Sequence, residues 1–133
     1  MSIGILLITH PGVGSSMLHT ATRILGYCPL QTKCLEVPAG SDPDAVACQA
    51  RRQLDKLDQG DGVLILTDLF GSTPSNIAQR LAESNRAAVV AGLNLPMLIR
   101  LYNYPADDLS SLSRKVADGA IRGILRQPPP DRD

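Results

Sequence analysis

Four short apolar runs recur along the chain, at residues 3–9, 31–37, 63–67 and 87–92, each closed by polar or glycine-rich residues. The first and third are continuous and rich in β-branched residues, the pattern of strands buried on both faces. The second is more mixed and reads as an edge strand. Between the runs the spacing changes to a helical period. Met17, Leu18, Ala21, Ile24 and Leu25 form a stripe, with Ser15 or Ser16 as the cap and Gly26 as the stop. Ser41-Asp42-Pro43-Asp44 opens a second helix reaching about Asp58, with Val46, Ala50, Leu54 and Leu57 inward. Ile77, Ala78 and Leu81 mark a third helix. A short fourth follows the Asn94-Leu95-Pro96 turn and runs to about Tyr102. The last begins at Asp107-Asp108-Leu109, with Leu112, Val116, Ala120, Ile124 and Leu125 inward, and the helical reading extends to Gln127. The strand–helix alternation predicts an α/β domain over residues 1–127. Its sheet is mainly parallel and four-stranded, with helices on both faces. Residues 128–133, opening on three prolines, read as a loose tail.

Composition narrows the choice of function. The chain of 133 residues carries 13 basic and 13 acidic side chains, so no basic footprint points to nucleic acid. No apolar run approaches the roughly 20 residues of a membrane span, and the N-terminus lacks the basic start of a signal peptide. The expectation is a cytoplasmic protein. Cys28, Cys34 and Cys48 have no metal-ligand or disulfide spacing and read as small apolar residues. No metal and no cofactor is expected.

The chemistry concentrates at two strand ends, Thr9-His10 and Thr67-Asp68. In parallel α/β sheets ligands sit at the carboxyl ends of the strands. If the first and third strands are neighbours, Asp68 can hold one imidazole nitrogen of His10 and leave the other as a nucleophile. Gly71, Ser72, Thr73 and Ser75, ahead of a helix, supply hydroxyls, backbone freedom and free N–H groups for an anion. Gly12-Val13-Gly14-Ser15-Ser16 offers a second such cradle. Neither loop holds a lysine or arginine, which disfavours a permanent triphosphate site. A single labile phosphoryl group on histidine fits better, with Asp68 repelling its charge of roughly −1.5 to −2. Gly12-x-Gly14 lacks the third glycine of a dinucleotide fingerprint, and no acidic residue is expected at the end of the second strand. His19 reads as an ordinary helix residue.

Three blocks resemble one family. "IGILLITHPGVGSSML", "GVLILTDLFGSTPSNIAQRL" and "VVAGLNLPMLIRL" are similar, in order and spacing, to the signatures of the mannose-type enzyme IIA domain of the bacterial phosphoenolpyruvate:sugar phosphotransferase system. The resemblance implies that His10 is phosphorylated by the carrier protein HPr and that Asp68 orients it. It further implies that Gly71, Ser72 and Thr73 face the phosphate, and that Thr9, Pro11, Asn94, Pro96 and Met97 shape the site. The acceptor would be a separate enzyme IIB. A stand-alone regulatory component, reporting its phosphorylation state to a partner protein, is the alternative. The family fold also implies a fifth, antiparallel strand near the C-terminus, exchanged across a homodimer. Two positions depart from the pattern: Pro11 replaces the usual glycine and biases His10 to extended backbone, and Ser72 stands where a second glycine is common.

Overall fold

The computed structural model describes residues 2–84, 86–104 and 108–131. Its elements run β1 (Gly4–Thr9), α1 (Val13–Leu25), β2 (Thr32–Glu36), α2 (Pro43–Leu57), β3 (Val63–Thr67), α3 (Thr73–Ser84), β4 (Ala87–Ala91), α4 (Leu95–Asn103) and α5 (Leu109–Arg122). The four strands pair in the order β2-β1-β3-β4, all in parallel. The α/β architecture expected from the sequence is therefore the one observed. Every residue of β1 and β3 is buried, as their central positions require, while β2 and β4 are only partly covered.

Alternating side chains send the two faces of the sheet into separate cores. Ile5, Leu7, Leu64 and Leu66 pack with α1, α4 and α5. Leu6, Ile8, Val63 and Ile65 pack with α2 and α3. Tyr102 is wholly buried, and its hydroxyl meets Thr32 Oγ1 at 2.7 Å, joining α4 to the start of β2. Truncating a large buried side chain in either layer, such as Leu66 or Leu54, should cost about 2–5 kcal/mol.

Several helix ends follow their local signals. Asp42 caps α2 by accepting from the Asp44 N–H, with Pro43 in the first turn. Asn94 caps α4 by accepting from the Met97 N–H. Gly26 ends α1 in the left-handed conformation at φ 84°, which costs glycine little.

Other expectations need correcting. Helix α1 begins at Val13, with Gly12 as its N-cap, so Ser15 and Ser16 lie inside the helix. Ile24 is exposed, because the buried stripe of α1 narrows to Ala21 with Met17, Leu18 and Leu25 at its margin. Helix α5 stops at Arg122, and residues 124–131 have no regular secondary structure. Ile124 and Leu125 are exposed rather than inward. At that point the chain passes close to α4: a Cβ on Gly123 would meet the Pro96 ring at 2.3 Å. No fifth strand occurs among the described residues, and Asp107 lies outside them.

Candidate active site

The strand order creates the site. From β1 the chain steps to one side to form β2 and then crosses to the other side for β3. The helices that follow β1 and β3 lie on opposite faces, so a crevice opens above the carboxyl ends of these two strands. Ile8 is level with Thr67 in the register. His10 and Asp68, just past the strand ends, therefore meet across 58 positions of sequence.

His10 Nδ1 lies 2.8 Å from Asp68 Oδ2, and the His10 backbone N–H donates to the same oxygen at 3.0 Å. Asp68 Oδ1 accepts the N–H of Leu69 at 3.1 Å. Burial pushes the Asp68 carboxyl up. The His10 backbone and ring hydrogen bonds, with the local backbone bond, outweigh it and hold the group below the ordinary value of 3.8. An ionised carboxylate only accepts, so Nδ1 carries the hydrogen and donates it. In the neutral ring the lone pair then resides on Nε2, for which the described residues provide no hydrogen-bond partner. The side chain of Asp68 is 13% exposed and that of His10 45%, so the acid is sheltered and the imidazole is open.

Thr9 sets the loop. It is fully buried, its hydroxyl donates to the His10 carbonyl at 2.9 Å, and the same oxygen accepts the Gly14 N–H at 2.9 Å. A Cβ at Gly14 would lie 3.0 Å from that oxygen, so this approach favours glycine. His10 and Pro11 line a cavity of about 510 Å³ with Val37, Pro38, Thr73 and Pro74 among its other walls.

The remaining candidates are distributed unevenly. Gly71, Ser72 and Thr73 form the turn from Asp68 into α3. Gly71 holds φ +86°, a conformation suited to glycine. The Ser72 hydroxyl donates to the Leu69 carbonyl at 2.6 Å, closing its own turn. Ser75, whose hydroxyl the sequence offered to an anion, is instead buried, and its Oγ has no hydrogen-bond partner. It faces inward from the first turn of α3. Asn94, Pro96 and Met97 are absent from the His10 cavity. Met97 is wholly buried, and Asn94 Nδ2 donates to the Ala120 carbonyl at 3.2 Å, tying the β4–α4 turn to α5.

One carboxylate near the site escaped the sequence reading. Glu36 is the last residue of β2, where no acidic side chain was expected. Its carboxylate accepts the Ser15 hydroxyl at 2.7 Å, the Ser15 N–H at 3.1 Å and the Gly12 N–H. The Ser15 hydroxyl, more than the backbone donors, holds Glu36 below its ordinary value. The α1 cradle is thus already filled by an anion of the protein's own. A polar residue at a strand's carboxyl end, the signal that singled out His10 and Asp68, could have found it. Beside it, burial and then the charge of Glu36 push the Cys34 thiol up to about 11, far from thiolate reactivity.

A strand-end imidazole, held by a carboxylate, thus stands at the switch point of a parallel sheet, where α/β proteins bind their ligands. Comparison with known proteins gives the family. The family model for the PTS system fructose IIA component, EIIA-man, matches residues 4–117. The chain belongs to this mannose family of phosphotransferase-system IIA components, as the sequence resemblance implied. It is 32% identical over 111 residues to the PTS system mannose-specific EIIAB component of Escherichia coli (strain K12), covering 83% of this chain and 34% of that protein. The chain thus spans about a third of the length of the relatives it matches by sequence. In fold it is similar to the mannose/sorbose specific IIA subunit of the phosphotransferase system from Enterococcus faecalis. That similarity covers all of both chains, at a TM-score of 0.85 and 22% identity. It also resembles the PTS IIA protein associated with the fucose utilization operon from Streptococcus pneumoniae. There the TM-score is 0.80 and the identity 25%, over 95% of this chain and 93% of the other.

Proposed function

We propose that this chain is a phosphohistidine carrier that accepts a phosphoryl group from HPr on His10 Nε2 and passes it to a separate enzyme IIB. The observation that carries the reading is the His10 Nδ1–Asp68 Oδ2 hydrogen bond of 2.8 Å, which leaves the other ring nitrogen as the nucleophile. In the transfer the Nε2 lone pair forms the new P–N bond, and the donor imidazole leaves with the electron pair of the old one. Nδ1 keeps its hydrogen throughout. The positive charge that develops on the ring is met by Asp68, which orients the imidazole without taking its proton. Gly71 and Thr73 form the loop at the start of α3, where free N–H groups and the positive helix end favour the phosphoryl oxygens. Thr9 and Pro11 hold the histidine loop. Asn94, Pro96 and Met97 shape the neighbouring β4–α4 turn.

The carrier works in the cytoplasm on this reading. No helix among the described residues is long and apolar enough to cross a membrane. Domain limits of 1–127, with a tail over 128–133, fit a family match covering 4–117. A homodimer with an exchanged strand is consistent with the half-covered edge of β4 and the exposed Ile121, Ile124 and Leu125 beyond it.

The test is reconstitution. With phosphoenolpyruvate, enzyme I and HPr, the protein should acquire an acid-labile label, and His10→Ala should abolish it. Label persisting in His10→Ala would sink the assignment.

A further inference from the structure

His10 is the first residue of a tight turn, in which the Val13 N–H donates to the His10 carbonyl at 3.3 Å. Pro11 holds the second position, and Gly12 the third at φ 83°, ψ −15°. Proline followed by a glycine at positive φ makes this a type II turn. Types I and II differ by a flip of the central peptide, here Pro11–Gly12, and glycine tolerates both forms. The residues of the turn therefore leave the flip open. Asp68 does not close it, because its bonds go to the His10 ring, the His10 N–H and the Leu69 N–H. The Gly12 N–H, which belongs to the central peptide, donates to Glu36. The same carboxylate accepts the Ser15 hydroxyl at 2.7 Å and the Ser15 N–H at 3.1 Å, in the first turn of α1. Glu36 is level with Thr9 in the β1–β2 register, and the Val37 N–H donates to the Thr9 carbonyl at 2.9 Å. The carboxylate is thus carried on paired backbone beside the turn.

We infer that Glu36 is a positioning residue for phosphoryl transfer: by holding the Gly12 N–H it locks the Pro11–Gly12 peptide and fixes the His10 turn from the β2 side, as Asp68 fixes the ring from the β3 side. The inference rests on the phosphocarrier reading. Strand β1 runs between β2 and β3, so the turn is gripped by one carboxylate from each neighbouring strand. Glu36 acts through Gly12 and Ser15, not on the imidazole. Direct transfer brings the attacking nitrogen within about 3–3.5 Å of phosphorus, and a misplacement of about 1 Å can cost on the order of 10²-fold. A flipped central peptide gives up the Gly12 bond and lets the turn shift against Asp68, whose carboxylate is held by the Leu69 N–H. An acceptor oxygen on Glu36, rather than its charge, is what the lock requires.

Three variants separate positioning from stability and from charge. Asp108 caps α5 by accepting the Ser111 N–H at 2.8 Å, so Asp108→Ala should lower the melting temperature as Glu36→Ala does, without slowing transfer. Glu36→Ala should lower kcat for labelling by phospho-HPr about tenfold with KM little changed. The rate with phosphoramidate, a small phosphodonor, should fall by the same factor. Glu36→Gln keeps an acceptor oxygen and should recover most of the parent rate with both donors. Amide exchange at Gly12 should quicken in Glu36→Ala and stay slow in Glu36→Gln. An unchanged kcat in Glu36→Ala, a loss confined to KM, no recovery in Glu36→Gln, or equal slowing in Asp108→Ala overturns the positioning role. Unaltered Gly12 exchange in Glu36→Ala defeats the lock on the turn while leaving the phosphocarrier reading intact. Absence of label on the unmodified protein with both donors would defeat that reading and the inference with it.

Discussion

The β1–α1 and β3–α3 connections share a design and differ in what occupies them. Each follows a fully buried strand, contains a glycine at φ near +85° (Gly12 at 83°, Gly71 at 86°) and opens a helix. In the first, the donors are satisfied internally. The Gly14 N–H goes to Thr9 Oγ1, while Gly12 and Ser15 serve Glu36. Its helix end is occupied, and the loop's task is to present His10. In the second, the one nearby carboxylate, Asp68, is turned toward His10 and the Leu69 N–H, leaving the start of α3 open to an incoming anion. Two similar glycine turns thus differ in occupancy: the one that carries His10 has its helix end filled, and the one that carries Gly71 leaves its helix end open. A carboxylate reaching over from β2 makes the difference.

The contrast can be broken at graded points. His10→Ala should remove phosphoryl acceptance entirely, with folding unchanged because the ring is half exposed; retention of label in the reconstituted system is the contrary result. Asp68→Ala should slow transfer by about 10²-fold or more, since the imidazole loses its orienting partner. A rate equal to that of the parent would deny Asp68 this role. The same residue makes a pH statement. Its folded-state value lies below 3.8. Its contribution to stability is therefore complete above that ordinary value and is lost as pH falls through the lower folded one. Acid denaturation followed by circular dichroism should show an additional loss of stability below about pH 4 that Asp68→Ala lacks.

Smaller effects sharpen the contrast. A Cβ at Gly71 meets nothing within 4 Å, so Gly71→Val carries a conformational cost alone, about 1–2 kcal/mol. Transfer should suffer more than melting temperature, because on the phosphocarrier reading this loop is the receiving one; equal losses would make it purely structural. Glu36→Ala should cost about 1 kcal/mol, the usual worth of a helix cap. It should also free the Gly12 and Ser15 N–H groups, so that inorganic phosphate perturbs their NMR signals in the variant but not in the parent. Identical titrations would show that Glu36 does not mask the α1 end.

Much of this was legible in the residues themselves. The buried runs of β1 and β3, the cap at Asp42 and the stop at Gly26 are written in short-range patterns, as helix period, strand alternation and turn chemistry operate over a few residues. The nomination of His10 and Asp68 came from the same source, because a polar residue ending an apolar strand stands out locally. Ser75 and Glu36 were misjudged for the converse reason. Which way a side chain faces in the first turn of a helix, and which helix end a carboxylate can reach, depend on neighbours far along the chain. Ile24, Ile124 and Leu125 failed likewise: their spacing continues a stripe, but α1 buries a narrower band and α5 ends at Arg122.

By itself, then, the sequence determined the order and type of the elements, the cap of α2, the stop of α1 and the polar character of the β1 and β3 ends, since these arise from backbone and side-chain preferences within one or two turns. The tertiary structure alone decided that β1 and β3 are neighbours, that His10 and Asp68 therefore touch, and that Glu36 fills one glycine turn and leaves the other open. Those outcomes are set by strand order and register, which follow from how two apolar layers close over a single sheet.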